Sequence, residues 1–390
     1  MEAISKILIK FHIAGCVVLL SFQAAAAVEI PAHTSDGFAI PQPGRQFLFP
    51  RDHGSHPEFA IEWWYVTGHL TASNQLQYGF QATFFRRALA KPGPPVGPTS
   101  STFGNDQIYL AHMALLEKDT GTFHYQERLN RAGWDAMAAT STLDVRNGNW
   151  SLRLSPEKSK LKGYEVFELQ FTVGPDVSLM LELTPKKPLV VFGKNGVSRK
   201  AADPSSSSHY LTYPRLASHG VLNLAEINAT VEGEAWMDHE FSSSQLGTGQ
   251  VGWDWLCLQL NDGRELMAYR MRRADGTTDP FSTVAWIDLQ STARHIGPDQ
   301  FTWTTLQYWH SNKTSSNYPS SVKVEAKNPA SGKKEVFNLQ PIVLDQELTG
   351  NIGGVAYWEG ACSVLDENKN KIGKAYMELT GYTESLKEKF

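Results

Sequence analysis

Three ionisable residues follow one another in the segment EAWMDHEFSSS, at 234–244: Asp238, His239 and Glu240. Alternate side chains of an extended strand point to opposite faces, so Asp238 and Glu240 share a face with Trp236, while His239 points away. A carboxyl group buried beside an indole ring loses the hydration of its charged form, which raises its pKa. We therefore predict that Asp238 is a general acid, with His239 and Glu240 as its catalytic neighbours.

An acid of this kind can donate its proton to an unreactive group such as an alkene. Aromatic faces nearby would then stabilise the resulting carbocation by cation–π attraction. The alternative is structural: Asp238 would bond a backbone turn or an arginine and take no part in chemistry. The residues alone leave both interpretations open.

A second group of polar and aromatic residues lies in FPRDHGSHPEFAIEWWYVTGHL, at 49–70. His53 and His56, with a distant carboxylate, could hold a metal through nitrogen and oxygen ligands. Without a helix to fix its spacing, however, the HxxH pattern is more simply a turn that enters a strand, and we assign no metal. The run Trp63, Trp64 and Tyr65 places aromatic rings on both faces of this strand, one face in the core and the other on a cavity.

Other polar residues lie singly on apparent strands. His112, in QIYLAHMALLEK, is in register with apolar neighbours, where a histidine is more often a hydrogen-bonded core residue than a catalyst. Glu359 and Glu378 also lie on strands, and we expect them to be exposed. No GxSxG elbow, glycine-rich phosphate loop or HExxH motif occurs, which weakens the common hydrolase and nucleotide-enzyme interpretations.

The elements that would position these residues are strands. Runs such as QYGFQATFF, EVFELQFTV and VSLMLELT alternate apolar and other residues, and long amphipathic helical periodicity is hard to find. The chain is therefore predicted to be all-β, with barrels or sandwiches rather than a parallel sheet. The polar segment KAADPSSSS, at 200–208, is the best linker, so we place two domains at 28–215 and 216–390.

Composition restricts the partners. The 390 residues are 41% hydrophobic and carry a net charge of −4, which gives no reason to expect nucleic acid. The chain contains 11 Trp, 19 Phe and 13 Tyr, enough rings for a large core, a hydrophobic ligand pocket or both. We expect a hydrophobic small-molecule ligand; peripheral membrane association and the oligomeric state are left open.

The N-terminus is typical of an export signal. Two lysines precede the apolar run IAGCVVLLSF, and small residues suited to cleavage near Ala26 or Ala27 follow, which predicts a signal peptide at 1–27 and a periplasmic or secreted protein. The alternative is a lipoprotein signal that ends at Cys16. Export leaves Cys257 and Cys362 in an oxidising compartment, where they could pair. We favour free thiols, because both cysteines lie in apolar strand-like runs.

Several segments together resemble the carotenoid 1,2-hydratase (hydroxyneurosporene synthase)/AttH-like family, and within it the secreted bacterial branch labelled "predicted secreted hydrolase". They include EWWYVTG, FFRR, QIYLAHMAL, LTPKKP, GEAWMDHEFSSS, VGWDWLCLQLNDGRELMAYRMRRADGTTDPFS, YWEG and ELTGY, and the resemblance extends over residues 49–382. It implies two tandem lipocalin-like β-barrel domains.

The resemblance also implies an activity. Enzymes of the family add water across an isoprenoid double bond without a cofactor, and they use the aspartate of a Tyr-x-Asp pattern as proton donor. The matching positions here are Trp236 and Asp238, and a tryptophan can stabilise a cation but cannot relay a proton. An upstream His-x-Trp element is matched by His209, with Leu211 at the tryptophan position.

These observations predict an exported, cofactor-independent hydratase that acts on a hydrophobic isoprenoid or prenylated substrate. The predicted substrate-binding residues are Trp236, Trp63, Trp64, Tyr65, Glu62, His56, His112 and His209. Two alternatives are a non-catalytic lipid-binding barrel and a metal-assisted secreted hydrolase that uses His53, His56 or His239.

Overall fold

The computed structural model describes residues 30–90, 107–133, 135–352 and 354–386. The predicted signal peptide and Cys16 lie outside the described residues. Within the described part, the chain is almost entirely β, with two sheets that each curve toward a lipocalin-like barrel. The predicted all-β fold with two tandem barrels is therefore confirmed.

Thirteen strands of the described chain form the first sheet. They are β1 (Ile61–Ala72), β2 (Gln77–Ala88), β3 (Gln107–Glu117), β4 (Phe123–Arg131), β5 (Ala136–Ala138), β6 (Asp144–Asn147), β7 (Trp150–Leu154), β8 (Phe167–Val173), β9 (Val177–Pro185), β10 (Val190–Val191), β11 (Ser198–Arg199), β12 (Ser207–Leu224) and β13 (Ile227–Ser244). A 3₁₀-helix at Arg51–His53 precedes β1, and the α-helix α1 at Pro156–Lys162 follows β7.

Ten strands of the described chain form the second sheet. They are β14 (Gln250–Leu260), β15 (Glu265–Arg273), β16 (Thr283–Ile287), β17 (Ala293–Ile296), β18 (Phe301–His310), β19 (Asn317–Lys327), β20 (Lys334–Pro341), β21 (Glu347–Leu348), β22 (Tyr357–Leu365) and β23 (Lys371–Leu379).

The strands change from the first sheet to the second between β13 and β14. The predicted boundary between residues 215 and 216 falls inside β12, which forms a long hairpin with β13, and both strands have 18 residues. In the first sheet, β13 pairs with β1 and β12 pairs with β9, so this hairpin joins the early and late strands of the sheet. The polar segment at 200–208 is thus the approach to β12, and the second sheet begins only at Gln250.

Strand alternation determines which side chains enter the two cores. In β8, Phe167, Leu169, Phe171 and Val173 are buried and the residues between them are more exposed, as their spacing predicts. They pack in the core of the first barrel, and Trp358 and Val364 pack in the core of the second. Burial of such alternating apolar side chains is the main stabilisation of a barrel interior.

The two predicted free thiols are confirmed. Cys257 and Cys362 are both buried and unbonded to each other. Cys257 packs in the cluster between the barrels, whereas Cys362 packs in the core of the second barrel. No helix among the described residues is long and apolar enough to cross a membrane.

Ion pairs join the two barrels along one side. Arg215 of β12 donates from Nε to Glu265 of β15 at 2.8 Å, and Lys187 bonds the other oxygen of Glu265 at 2.6 Å. Arg215 also donates to Glu234 of β13 at 2.9 Å. Glu265 is fully buried, and its partners Arg215 and Lys187 are largely buried, so this network links the two sheets.

Candidate active site

A cavity of about 90 Å³ lies between the two sheets. Its lining residues come from both barrels and are mostly aromatic or apolar: Trp63, Tyr65, Thr83, Phe85, Leu110, His112, Lys200, Tyr210, Asp238, Glu240, Gln245, Trp253, Trp255, Tyr269, Met271, Val355, Tyr357, Glu378, Thr380 and Leu386. A largely apolar cavity with a few polar groups at a domain interface is typical of a small-molecule site.

Two rows of side chains across the first sheet form one wall of this cavity. In the first row, Asp238 pairs with Tyr65 of β1, followed by Thr83 of β2 and His112 of β3. In the second row, Glu240 pairs with Trp63, followed by Phe85 and Leu110 at the equivalent positions. Because side chains alternate along each strand, residues two apart on β13 and β1 face the same cavity.

Asp238 lies at the centre of a hydrogen-bond network of neutral donors. Its Oδ1 accepts from Thr212 Oγ1 at 2.6 Å and from the indole Nε1 of Trp236 at 2.7 Å. Its Oδ2 accepts from the hydroxyl of Tyr210 at 2.7 Å, and that hydroxyl accepts from Trp255 Nε1 at 2.9 Å. Two bonds occupy Oδ1, so the position left for an acidic proton is the second lone pair of Oδ2.

The environment of Asp238 favours its protonated form. Burial raises the pKa of this carboxyl to about 7, against the effect of its three hydrogen bonds, and the charge of Glu240 raises it further. Glu240 is itself ion-paired to Lys200, whose Nζ lies 3.1 Å from Oε1. The site thus holds a carboxyl group that still carries its proton near neutral pH, beside a carboxylate with its own counter-ion.

Aromatic rings surround the space beside Asp238. Trp255 contacts Tyr65 edge-to-face, with ring centroids 5.2 Å apart, and Trp236 at 6.3 Å. Lys200 Nζ lies 4.1 Å from the ring centroid of Tyr269, which is a cation–π contact between two residues of the same cavity. Such ring faces would also stabilise a positive charge that develops on a bound substrate.

The second barrel contributes two further acids, neither of which is exposed as predicted. Burial raises the pKa of Glu378 to about 7, against a 2.8 Å hydrogen bond from Trp253 Nε1, with a smaller contribution from Glu240 and Asp238. Burial also holds the pKa of Glu359 well above its usual range, although Tyr65 donates to its Oε1 at 2.6 Å. Glu378 lines the cavity, so the packing of one barrel on the other buries both acids.

On the opposite face of β1 and β13 lies a second buried network. His56 bonds Glu62 through Nδ1 at 2.8 Å and Asp52 through Nε2 at 2.9 Å. His239 Nε2 lies 2.9 Å from Glu62 Oε1, and Arg86 Nε donates to Glu62 Oε2 at 2.9 Å. This network faces the first barrel and is separated from the cavity by the sheet itself.

The network is organised as an ion cluster. Against the effect of burial, hydrogen bonds to Asp52 and Glu62 raise the pKa of His56, while Arg86 and the two histidines hold the pKa of Glu62 well below its usual range. His56, Glu62 and His239 lie close enough together to hold a metal ion. However, their candidate ligand atoms already bond one another, and a histidine held charged between two carboxylates has no lone pair for a metal. His53 is bonded instead to Glu165, at 2.8 Å.

The structure therefore divides the predicted site residues between two faces of one sheet. The predicted residues that line the cavity are Trp63, Tyr65, His112, Asp238 and Glu240. Trp236 lies two residues before Asp238 and donates a hydrogen bond to it. The residues on the other face are His56, Glu62, Trp64, His209 and His239. Trp64 stacks on His239 with ring centroids 4.9 Å apart.

The residues of β12 that lie beside Asp238 are one position away from His209 and Leu211, the residues that the family resemblance matched to a His-x-Trp element. Tyr210 and Thr212 are paired with Glu240 and Asp238 and share their face, so His209 and Leu211 point away. His209 bonds the carbonyl of Gly196 at 2.7 Å. The family pattern has a tyrosine two residues before the aspartate, and this chain has Trp236 at that position. Tyr210, on the neighbouring strand β12, supplies a hydroxyl group to Asp238 instead.

Sequence reasoning missed Lys200, Tyr210, Gln245, Trp253 and Tyr357 as cavity residues. The alternation of β12 places Tyr210 and Thr212 on the face opposite to His209 and Leu211. A shift of one residue in the match therefore changes which of these side chains faces Asp238. Lys200 and Gln245 lie outside the strands, in the segments that precede β12 and follow β13. No local spacing could have shown that they meet in one cavity.

Comparison with known proteins identifies the family. The AttH-like family matches residues 40–382. The chain belongs to the AttH-like family. A crystal structure of an AttH candidate from Nitrosomonas europaea is similar to it at 33% identity and a TM-score of 0.76, covering 88% of this chain and 100% of that one. No curated protein matches the sequence significantly.

Two more distant structures share the fold of this AttH-like chain. Kievitone hydratase from Nectria haematococca has 15% identity and a TM-score of 0.63, over 91% of this chain and 96% of that one. CghA with Sch210972 has 13% identity and a TM-score of 0.54, over 90% of this chain and 98% of that one. At these identities, the likeness concerns the two-barrel fold alone.

Proposed function

We propose that this AttH-like protein is a cofactor-independent hydratase that adds water to the double bond of a hydrophobic isoprenoid or prenylated substrate. The observation that carries the proposal is Asp238, a carboxyl group with a pKa of about 7 in a largely aromatic cavity. A general acid is most effective when its pKa is near the working pH.

The reaction balances with Asp238 as the single proton carrier. Its Oδ2 proton passes to the less substituted alkene carbon, and the other carbon becomes a tertiary carbocation. Water then bonds that carbon, and the oxonium ion returns one proton to the Asp238 carboxylate. One water molecule is added and the acid is regenerated, so that no cofactor or further reactant is needed.

The neighbours of Asp238 serve as positioning residues in this proposal. Trp236 and Thr212 hold Oδ1, and Tyr210 bonds Oδ2, which fixes the carboxyl plane against the cavity. Glu240 helps to keep Asp238 protonated. Trp63, Tyr65 and Trp255 provide ring faces for the carbocation.

The distant relatives support the same chemistry by analogy. One of them is kievitone hydratase, whose two-barrel fold covers nearly the whole chain. Fold likeness alone does not fix a reaction, so the proposal depends on the acid in the cavity. We also propose that the protein is exported to the periplasm or the medium, because the segment at 1–27 has the features of a signal peptide.

The test of function uses the purified mature protein in ¹⁸O-labelled water with a panel of prenylated and isoprenoid lipids, analysed by mass spectrometry. We expect incorporation of one labelled water molecule. Asp238→Asn should lower the rate by about 10²–10⁴-fold, because the variant has no proton to donate. The matched control is Asp275→Asn, on an exposed turn between β15 and β16, which should retain the activity of the wild type.

Other outcomes would identify a different function. A product of unchanged mass that disappears in Asp238→Asn would indicate an isomerase or cyclase. Bound lipid without any product from either protein would contradict the hydratase and favour a carrier.

A further inference from the structure

Two buried side-chain nitrogen atoms on the cavity wall have no hydrogen-bond partner in the described part of the chain. They are Nε2 of His112 and Nε2 of Gln245. Both side chains are nearly inaccessible, at 2% and 4% exposure. A buried polar atom without a hydrogen bond destabilises a folded protein unless something else completes the bond. The cavity is the space that both groups share.

The bonds around His112 define what its free nitrogen offers. Tyr357 accepts from Gln81 Nε2 at 3.2 Å, and its hydroxyl lies 2.7 Å from His112 Nδ1. When Tyr357 donates its own proton to Nδ1, the imidazole carries its hydrogen on Nε2. Burial lowers the pKa of His112 to about 4, so the ring is neutral near pH 7. Nε2 is then an N–H donor without a partner, on a residue that lines the cavity.

The position of His112 relative to Asp238 follows from the strand register. Asp238, Tyr65, Thr83 and His112 lie in one row, so His112 is three strands away from the acid. At the usual strand spacing, this is about 14 Å between the Cα atoms, measured along the sheet. A ligand that reaches both groups therefore has its double bond at one end, beside Asp238. Its hydrogen-bond acceptor lies some distance along its own carbon skeleton, beside His112.

We propose that His112 forms a subsite for ligand oxygen, with Gln245 as a second donor on the wall of the same cavity, so that the substrate is an oxygen-bearing alkene rather than a hydrocarbon. The oxygen can be a carbonyl, a hydroxyl or a phenol, since each accepts a hydrogen bond from an N–H group. This deepens the proposed function and rests on it only in taking the cavity as the substrate site. A site built to bond such an oxygen discriminates against analogues that lack it.

The experiment compares matched probes that differ by one oxygen. The first pair is geranylacetone and 2,6-dimethylundeca-2,6-diene, and the second pair is 4-geranylphenol and geranylbenzene. Dissociation constants are measured by quenching of tryptophan fluorescence, because Trp63, Trp253 and Trp255 line the cavity. We expect the wild type to bind at least one oxygenated probe about tenfold more tightly than its hydrocarbon partner.

The variants separate a lost hydrogen bond from general damage. His112→Phe keeps a ring beside Phe85 and Tyr357 but removes the donor, so it should abolish most of the preference for the oxygenated probe over its hydrocarbon partner. His112→Gln retains an N–H group and should restore part of the preference. Gln245→Leu tests the second group in the same way. His219→Phe, at an exposed position of β12, is the control and should bind like the wild type.

Three results would overturn the subsite. They are equal binding of oxygenated and hydrocarbon probes by the wild type, no binding of any oxygenated probe, and an unchanged preference in both His112→Phe and Gln245→Leu. The measurement does not depend on turnover. A preserved preference for oxygenated probes without incorporation of labelled water would contradict the hydratase and support the subsite. Hydration of both members of a pair, bound with equal affinity, would support the hydratase and contradict the subsite.

Discussion

At the scale of single residues, the unusual feature of this protein is an acid stabilised without a cation. Asp238 accepts hydrogen bonds from a threonine, a tyrosine and a tryptophan, all of them neutral donors. Lys200, the cation that lines the same cavity, is paired with Glu240 instead. Asp238 therefore keeps a proton that an ion pair with Lys200 would have removed.

The pH dependence of activity should respond in opposite directions to two neighbouring substitutions. The wild-type rate should fall as pH rises through about 7, because the acid loses its proton. Tyr210→Phe removes a hydrogen bond that lowers the pKa of Asp238, so the upper pH limit should move to higher pH. Glu240→Gln removes a charge that raises this pKa, so the limit should move to lower pH. Profiles of kcat/KM against pH measure both shifts.

The two profiles carry their own control. Both substitutions are conservative in size, and a purely structural effect would lower the rate at every pH without moving the limit. Shifts of the same sign in both variants would contradict the assignment of the limit to Asp238.

At the scale of elements, strand alternation made part of the site predictable. The pattern of β13 alone placed Trp236, Asp238 and Glu240 on one face, and the structure brings the two acids to the cavity. What alternation cannot give is which strands pair and in what register, because hydrogen-bond partners are distant in sequence. Tyr210 therefore escaped prediction, although it lies 2.7 Å from Asp238.

Burial by another domain was the second property that local pattern could not reveal. Glu378 has the same alternation whether its face meets solvent or a second barrel, and burial raises its pKa only because the barrels pack together. The position of His239 was predictable from local pattern. It lies between the cavity residues Asp238 and Glu240 in sequence, and its alternation places it on the opposite face of the sheet.

The ion network between the barrels should be essential to stability. Glu265→Gln would leave Lys187 and Arg215 without their shared carboxylate in a buried position. We expect a loss of about 3 kcal/mol in the free energy of unfolding, measured by urea denaturation. Glu325→Gln, which removes a partly exposed partner of Lys323 and Lys334, is the matched control and should change little. Equal effects of the two substitutions would contradict a role for burial.

At the scale of the whole molecule, the sheet of the first barrel separates two ionic systems of opposite character. On the cavity side, burial raises the pKa of Asp238, Glu378 and Glu359. On the other side, positive partners hold the pKa of Asp52 and Glu62 below their usual range. Burial favours the protonated form of the carboxyl groups on the cavity side, whereas the positive partners favour the ionised form of those on the other side. The two sets of carboxyl groups therefore stabilise the fold in different ranges of pH.

The raised pKa of Asp238 makes its own contribution to stability depend on pH. A carboxyl group with a raised folded pKa contributes stability below its unfolded value near 4, and that contribution is lost as pH rises through about 7. A carboxylate with a lowered pKa contributes above its unfolded value and loses its contribution only at strongly acidic pH. We therefore expect Asp238 to contribute about 3 kcal/mol more to the free energy of unfolding at pH 5 than at pH 8. Urea denaturation of the wild type and of Asp238→Asn at both pH values measures this contribution. Equal pH dependence in the wild type and the variant would show that Asp238 ionises in the folded protein as it does in the unfolded chain.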